Sequence, residues 1–89
     1  MTERYPILIY SDFSGRFDQD GFSVELSIMK LEGSLEWTLE VINSAGKSFV
    51  WEEGFENDKD AYTEFLQTLA EYGIYFFVYQ GTVIQFPWR

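Results

Sequence analysis

Phe22-Ser23-Val24-Glu25-Leu26-Ser27-Ile28 and, beyond a glycine turn, Leu35-Glu36-Trp37-Thr38-Leu39-Glu40-Val41 decide the fold. In both runs every second residue is apolar and the residues between are polar. A period of two is that of a strand with one buried and one wet face. Glu32-Gly33 lies between the runs, and glycine supplies the positive φ that a tight turn requires. A two-residue loop there sets Ile28 opposite Trp37, Leu26 opposite Leu39 and Val24 opposite Val41. A slip of one residue would bring each apolar set against the other strand's polar set, so the pattern specifies the register.

The reading extends outward from this hairpin. Asn43-Ser44-Ala45-Gly46-Lys47 suits a three-residue loop with Gly46 left-handed, which sets Val41 opposite Phe49 and Leu39 opposite Trp51. Upstream, Ile7 to Ser11 is apolar on both faces and reads as a covered or central strand that Pro6 can start. Asp12 to Phe17 reads as a linker mixing rings with polar residues. Downstream, Asn57 is a helix N-cap, with Asp58 and Asp60 in the first turn where the macrodipole favours acids. Ala61, Tyr62, Phe65, Leu66 and Leu69 make one apolar stripe, with Glu64, Gln67, Thr68 and Glu71 opposite, and Gly73 ends the helix. Ile74 to Tyr79 is expected to resume as a strand, with Gln80-Gly81 turning it into a hairpin with Thr82 to Phe86. The fold expected is α+β: a mainly antiparallel meander of about five strands with a single helix across one face, residues 1–89 forming one domain.

Composition sets limits on function. The 89 residues include nine Phe, six Tyr and three Trp, so packing of rings must supply most of the core. No Cys and no His occur, which removes disulfides, thiol nucleophiles, catalytic triads and most metal sites. No cofactor is implied. Fifteen acids against six bases leave a net charge of −9. That balance opposes direct binding to a nucleic-acid backbone or to an anionic membrane. The longest apolar runs are far too short to span a bilayer, and the brief one after Glu3 and Arg4 lacks the cleavage site of a signal peptide. The cytoplasm is the expected compartment.

Two features invite a chemical reading. Asp18-Gln19-Asp20-Gly21 resembles the middle of a calcium loop, but Arg16 falls at the first ligand position and Ser27 where a bidentate Glu is required. The segment is therefore an Asp-Gly turn. The second feature is the polar side of the hairpin, where the expected register sets Glu25 opposite Glu40 and near Glu36. An acid/base pair of the glycosidase kind would need a deep cleft, which an open sheet of this size rarely offers. A solvated acidic face, or a contact surface for a basic protein, is the simpler expectation. Glu52, Glu53 and Glu56 exceed what the helix start needs. Phe55 among them is either a staple packed back on the helix, the favoured reading, or an exposed anchor.

Asp20-Gly21, then Trp37-Thr38-Leu39-Glu40-Val41, Gly46, Ser48, Val50-Trp51, Phe55 and Asp58 form a further pattern. It resembles small single-domain bacterial proteins carrying DG…WxLEV…GxSxVW…FxxD over roughly residues 20 to 76. The resemblance implies a compact module and transfers no functional residue. The expected function is that of a non-enzymatic protein-interaction module using an acidic and aromatic surface. The candidate contact residues are Glu25, Glu36, Glu40, Glu52, Glu53, Phe55 and Glu56. An acidic inhibitor or nucleic-acid mimic that blocks a basic protein is the alternative, and the chain is expected to be a monomer or weak homodimer.

Overall fold

The Asp20-Gly21 turn joins two strands rather than a linker and a strand. Both residues have positive φ, 54° and 82°, so they form the two-residue hairpin turn whose twist matches that of its strands. The computed structural model describes residues 7–79 and 84–86. Six strands among these form one sheet: β1 (Leu8–Tyr10), β2 (Gly15–Gln19), β3 (Phe22–Leu31), β4 (Thr38–Asn43), β5 (Ser48–Trp51) and β6 (Ile84–Phe86). Helices α1 (Asp58–Tyr72) and α2 (Tyr75–Tyr79) lie between β5 and β6 in sequence. The sheet order is β1-β3-β4-β5-β6, and β2 also pairs with β3. The expected α+β architecture is present, with a mainly antiparallel sheet and one main helix packed against it.

Several local expectations give way to tertiary context. β3 and β4 pair two positions further along than a two-residue loop would set them. Leu26 faces Val41, Ile28 faces Leu39 and Val24 faces Asn43. A shift of two keeps every side chain on its face. Its cause lies in the connection. The Ser34 N–H closes the Glu32-Gly33 turn onto the Leu31 carbonyl at 2.9 Å, and the Ser34 hydroxyl then bridges the Glu36 N–H and C=O at 3.3 Å. Trp37 is thereby held out of the β3 ladder and exchanges both backbone hydrogen bonds with Phe55 instead, at 2.8 and 2.9 Å. Leu35, expected to be inward-facing, is exposed at the loop tip. The β4–β5 turn matches expectation, with Val41 opposite Phe49 and Gly46 at φ 84°.

Ile7 to Ser11 does not form a central strand. β1 occupies an edge, antiparallel to the end of β3, and Ile7 to Tyr10 are all exposed. β1 and β2 share that edge of β3, interrupted by a turn at 11–14. The Ser14 side chain fills the gap, its Oγ accepting the Ile28 N–H at 2.9 Å and donating to the Ile28 carbonyl at 3.0 Å.

Asn57 caps α1 as expected, its side chain accepting the Asp60 N–H. The buried stripe, however, is Ala61, Glu64, Phe65, Thr68 and Leu69, while Leu66 is exposed. Glu64 can be inside because its carboxylate accepts the Trp51 indole N–H at 3.2 Å, and the Thr68 hydroxyl donates to the Glu64 carbonyl at 2.9 Å. Gly73 has φ 78° and donates to the Leu69 carbonyl, which ends the helix.

Beyond Gly73 the expected strand is the short helix α2. Ile74 and Phe77, three apart, are both fully buried, and three is a helical spacing rather than a strand one. The Asn43 amide donates to the Phe77 carbonyl at 2.9 Å and anchors that turn. Phe77 is a hub of the ring packing, edge-on to Phe49 at 5.1 Å and within 6.4 Å of Trp51 and Phe65. β6 then runs parallel to β5, Phe49 pairing with Ile84, so the helices form a crossover. A hairpin between Ile74–Tyr79 and Thr82–Phe86 is thereby ruled out. Gln80, Gly81 and Thr82 lie outside the described residues.

Candidate interaction surface

Strand alternation gives the sheet two faces, and α1 covers one of them. On that side lie Val24, Leu26, Ile28, Leu39, Val41, Phe49 and Trp51, all buried. The opposite face carries no helix among the described residues. It presents Arg16 and Asp18 from β2, Ser23, Glu25, Ser27 and Met29 from β3, Thr38, Glu40 and Ile42 from β4, and Ser48 and Val50 from β5.

The register redistributes the carboxylates on this open face. Glu25 lies between Arg16 on β2 and Ile42 on β4, while Glu40 lies between Ser27 on β3 and Val50 on β5. The two acids are diagonal neighbours rather than a facing pair, and each is flanked by an apolar residue. Met29, Ile42 and Val50 are half-buried here although no helix covers them. Their exposed portions, together with Leu8, Tyr10 and Leu31 near the β1 edge, make the open face more apolar than a purely solvated face would be.

Arg16, where the sequence predicts a linker, is the cation of this face among the described residues. Its Nε donates to an Asp18 carboxylate oxygen at 2.8 Å, and the Ser23 hydroxyl donates to the same oxygen. The Ser23 hydrogen bond, then that of Arg16, holds the Asp18 carboxyl below the usual aspartate range. Asp18, and more weakly Glu25, raises the Arg16 guanidinium in turn. Arg16, Ser23, Glu25, Ile42 and Ser44 border a shallow depression of about 320 Å³.

The other candidate residues gather elsewhere. Trp37–Phe55 pairing draws Glu36 to the segment after β5, where a Cβ on Gly54 would lie 2.9 Å from the Glu36 Cβ. Glycine at 54 permits that approach. Glu36, Glu52, Glu53 and Glu56 are exposed around this connection. Phe55 is not an exposed anchor: it is 9% exposed and belongs to the core cluster with Ala61 and Phe65. Trp37 is half-buried beneath the Lys30 ammonium, 5.0 Å from its ring centroid, an arrangement that stabilises both groups. Phe17 packs edge-on to Phe65 at 5.0 Å, and Phe13 stacks on Tyr62 at 4.7 Å, so neither ring is a free anchor.

Among the described residues no group of three or more acids is placed to hold a metal ion, and no helix is long and apolar enough to cross a membrane. No family model, curated protein or solved structure matches the chain.

Sequence alternation identified Glu25 and Glu40 as outward-facing, but missed Arg16, Met29, Ile42 and Val50. A signal for the last two was present: Val41-Ile42 and Phe49-Val50-Trp51 put apolar residues on both faces of their strands.

Proposed function

We propose that this chain is a non-enzymatic protein-interaction module whose partner docks on the helix-free face of the sheet. The observation that carries the reading is the pairing there of half-buried Met29, Ile42 and Val50 with the carboxylates of Glu25 and Glu40. Apolar surface rimmed by charge is what a specific contact needs: buried area supplies the energy, and charge sets orientation and excludes wrong partners. With a net charge of −9, the matching partner surface is basic around an apolar centre.

The test is capture from native lysate at low and high salt, with three baits: the wild type, Glu25→Lys/Glu40→Lys, and Ile42→Ser. A basic partner retained by the wild type and weakened by both variants supports the reading. A partner retained equally by all three places the contact elsewhere and overturns it. A partner lost with salt but indifferent to Ile42→Ser points instead to an inhibitor or mimic acting through charge alone.

A further inference from the structure

The backbone edge of β1, which borders the open face, carries an inference of its own. Ile7, Leu8, Ile9 and Tyr10 are 49, 49, 37 and 57% exposed, and Leu31 beside Leu8 is 47% exposed. Four consecutive apolar residues on an edge strand are a template for another strand.

The backbone phase shows which groups are available. The Glu32 N–H donates to the Ile7 carbonyl and the Ser11 N–H to the Ile28 carbonyl, both at 2.8 Å. Alternation therefore turns the Ile9 N–H and C=O toward Lys30 on β3, and those of Leu8 and Tyr10 away from it. Two donors and two acceptors thus line the outer edge, spaced symmetrically about Ile9, with no partner among the described residues.

We propose that β1 is a self-complementary edge through which two copies of this chain pair antiparallel about a two-fold axis at Ile9, joining their sheets. In that register Leu8 of each copy meets Tyr10 of the other as a hydrogen-bonded pair. All four outward groups are used, in four hydrogen bonds. The axis stands perpendicular to the sheet, so Leu8 and Tyr10 of both copies fall on the open face and extend its apolar area.

Charge selects a second copy as the occupant. No carboxylate or cation occurs from Ile7 to Ser11. The edge therefore offers nothing to the basic partner suited to the open face. It is also a place where two chains of charge −9 meet without opposing acids directly. The neighbouring edge strand β2 instead carries the charged Arg16 and Asp18 at alternate positions, with no run of consecutive apolar residues. A three-residue strand covers less than the roughly 800 Å² per partner of a standard interface, so the dimer is a weak, concentration-dependent one.

Sedimentation equilibrium of the full chain tests this between about 10 µM and 1 mM, a range that brackets weak affinities. The mass rises from 10.5 kDa toward twice that value, and more readily at high salt, because screening relieves the repulsion between copies. Leu8→Pro deletes an outward N–H and leaves the β3 ladder intact, as edge positions allow. Its dissociation constant rises at least about tenfold, a change of some 1.4 kcal/mol, with an unchanged unfolding midpoint. In this cysteine-free chain, Ile9→Cys adds a second readout. The two-fold places residue 9 of each copy in a non-hydrogen-bonded pair about 4.5 Å apart at Cα, within disulfide range. Under mild oxidation Ile9→Cys cross-links faster than Tyr10→Cys. A monomer throughout the range, a dimer untouched by Leu8→Pro, or equal cross-linking by the two cysteine variants would each overturn the proposal.

Discussion

Removing the Ser14 hydroxyl isolates one buried hydrogen bond whose loss can be followed at a single amide. Ile28 is fully buried in the central strand, and its N–H donates to Ser14 Oγ at 2.9 Å. The Ile28 carbonyl is better protected, since it also accepts the Ser11 N–H at 2.8 Å. Ser14→Ala therefore orphans one donor, not two groups. An unsatisfied buried donor costs about 1–3 kcal/mol. Ser14 is half-buried, and partial access of water holds the expected loss to about 1–2 kcal/mol. For a domain of this size that lowers the unfolding midpoint by roughly 4–8 °C for each kcal/mol. Urea unfolding gives the energy, and native-state hydrogen exchange gives the location. The Ile28 amide loses protection by more than the global destabilisation explains, while Ser14→Thr, which keeps the hydroxyl, stays close to wild type. A loss below about 0.5 kcal/mol, the range of neutral surface changes, together with an Ile28 amide protected as before, would refute the bridging role.

Other substitutions address the core and the charges. Phe77→Ala is expected to cost about 3–5 kcal/mol by chemical denaturation, because it empties a fully buried position between Phe49, Trp51 and Phe65. Asn43→Asp keeps the acceptor for the Ala45 and Lys47 N–H groups but sets a carboxylate against the Phe77 carbonyl in a buried site. It should cost about 1–3 kcal/mol at neutral pH, and part of the loss should return as pH falls and the carboxyl gains a proton to donate. Asp18 has the opposite sign: its carboxyl pKa is lower in the folded chain than in the unfolded one. Its contribution is complete above the ordinary aspartate range and is lost as pH falls through the depressed folded value. Carboxylate NMR titration should show Ser23→Ala moving the Asp18 pKa upward, and an unmoved value would discount the Ser23 hydrogen bond as its main cause.

The same residues show where local pattern stops being informative. Asn57 acts on a backbone three residues away and Asp20-Gly21 and Gly46 through their own φ, so each was legible in the sequence. Trp37 and Leu35 belong to an alternating run, yet one pairs with Phe55 and the other is exposed. Their positions depend on a segment some twenty residues away. Glu64 and Thr68 looked outward because they are polar; Trp51 and the helix carbonyl make them affordable inside. Arg16 was missed because a five-residue strand with a leading glycine carries too few alternations to stand out, and its structure comes from pairing with β3.

Sequence alone determined the buried side for Val24, Leu26, Ile28, Leu39, Val41, Phe49 and Trp51, the three-residue β4–β5 loop, the cap of α1 and the acidic balance. These follow from interactions within a few residues, where periodicity and φ preference dominate. Tertiary structure decided the β3–β4 offset, the edge position of β1, the helical course of Ile74 to Tyr79 and the parallel placement of β6. A shift of two residues, or a choice between strand and short helix for a continuous apolar run, leaves local preferences nearly balanced. Distant partners then decide, here Phe55 for Trp37 and Asn43 for Phe77.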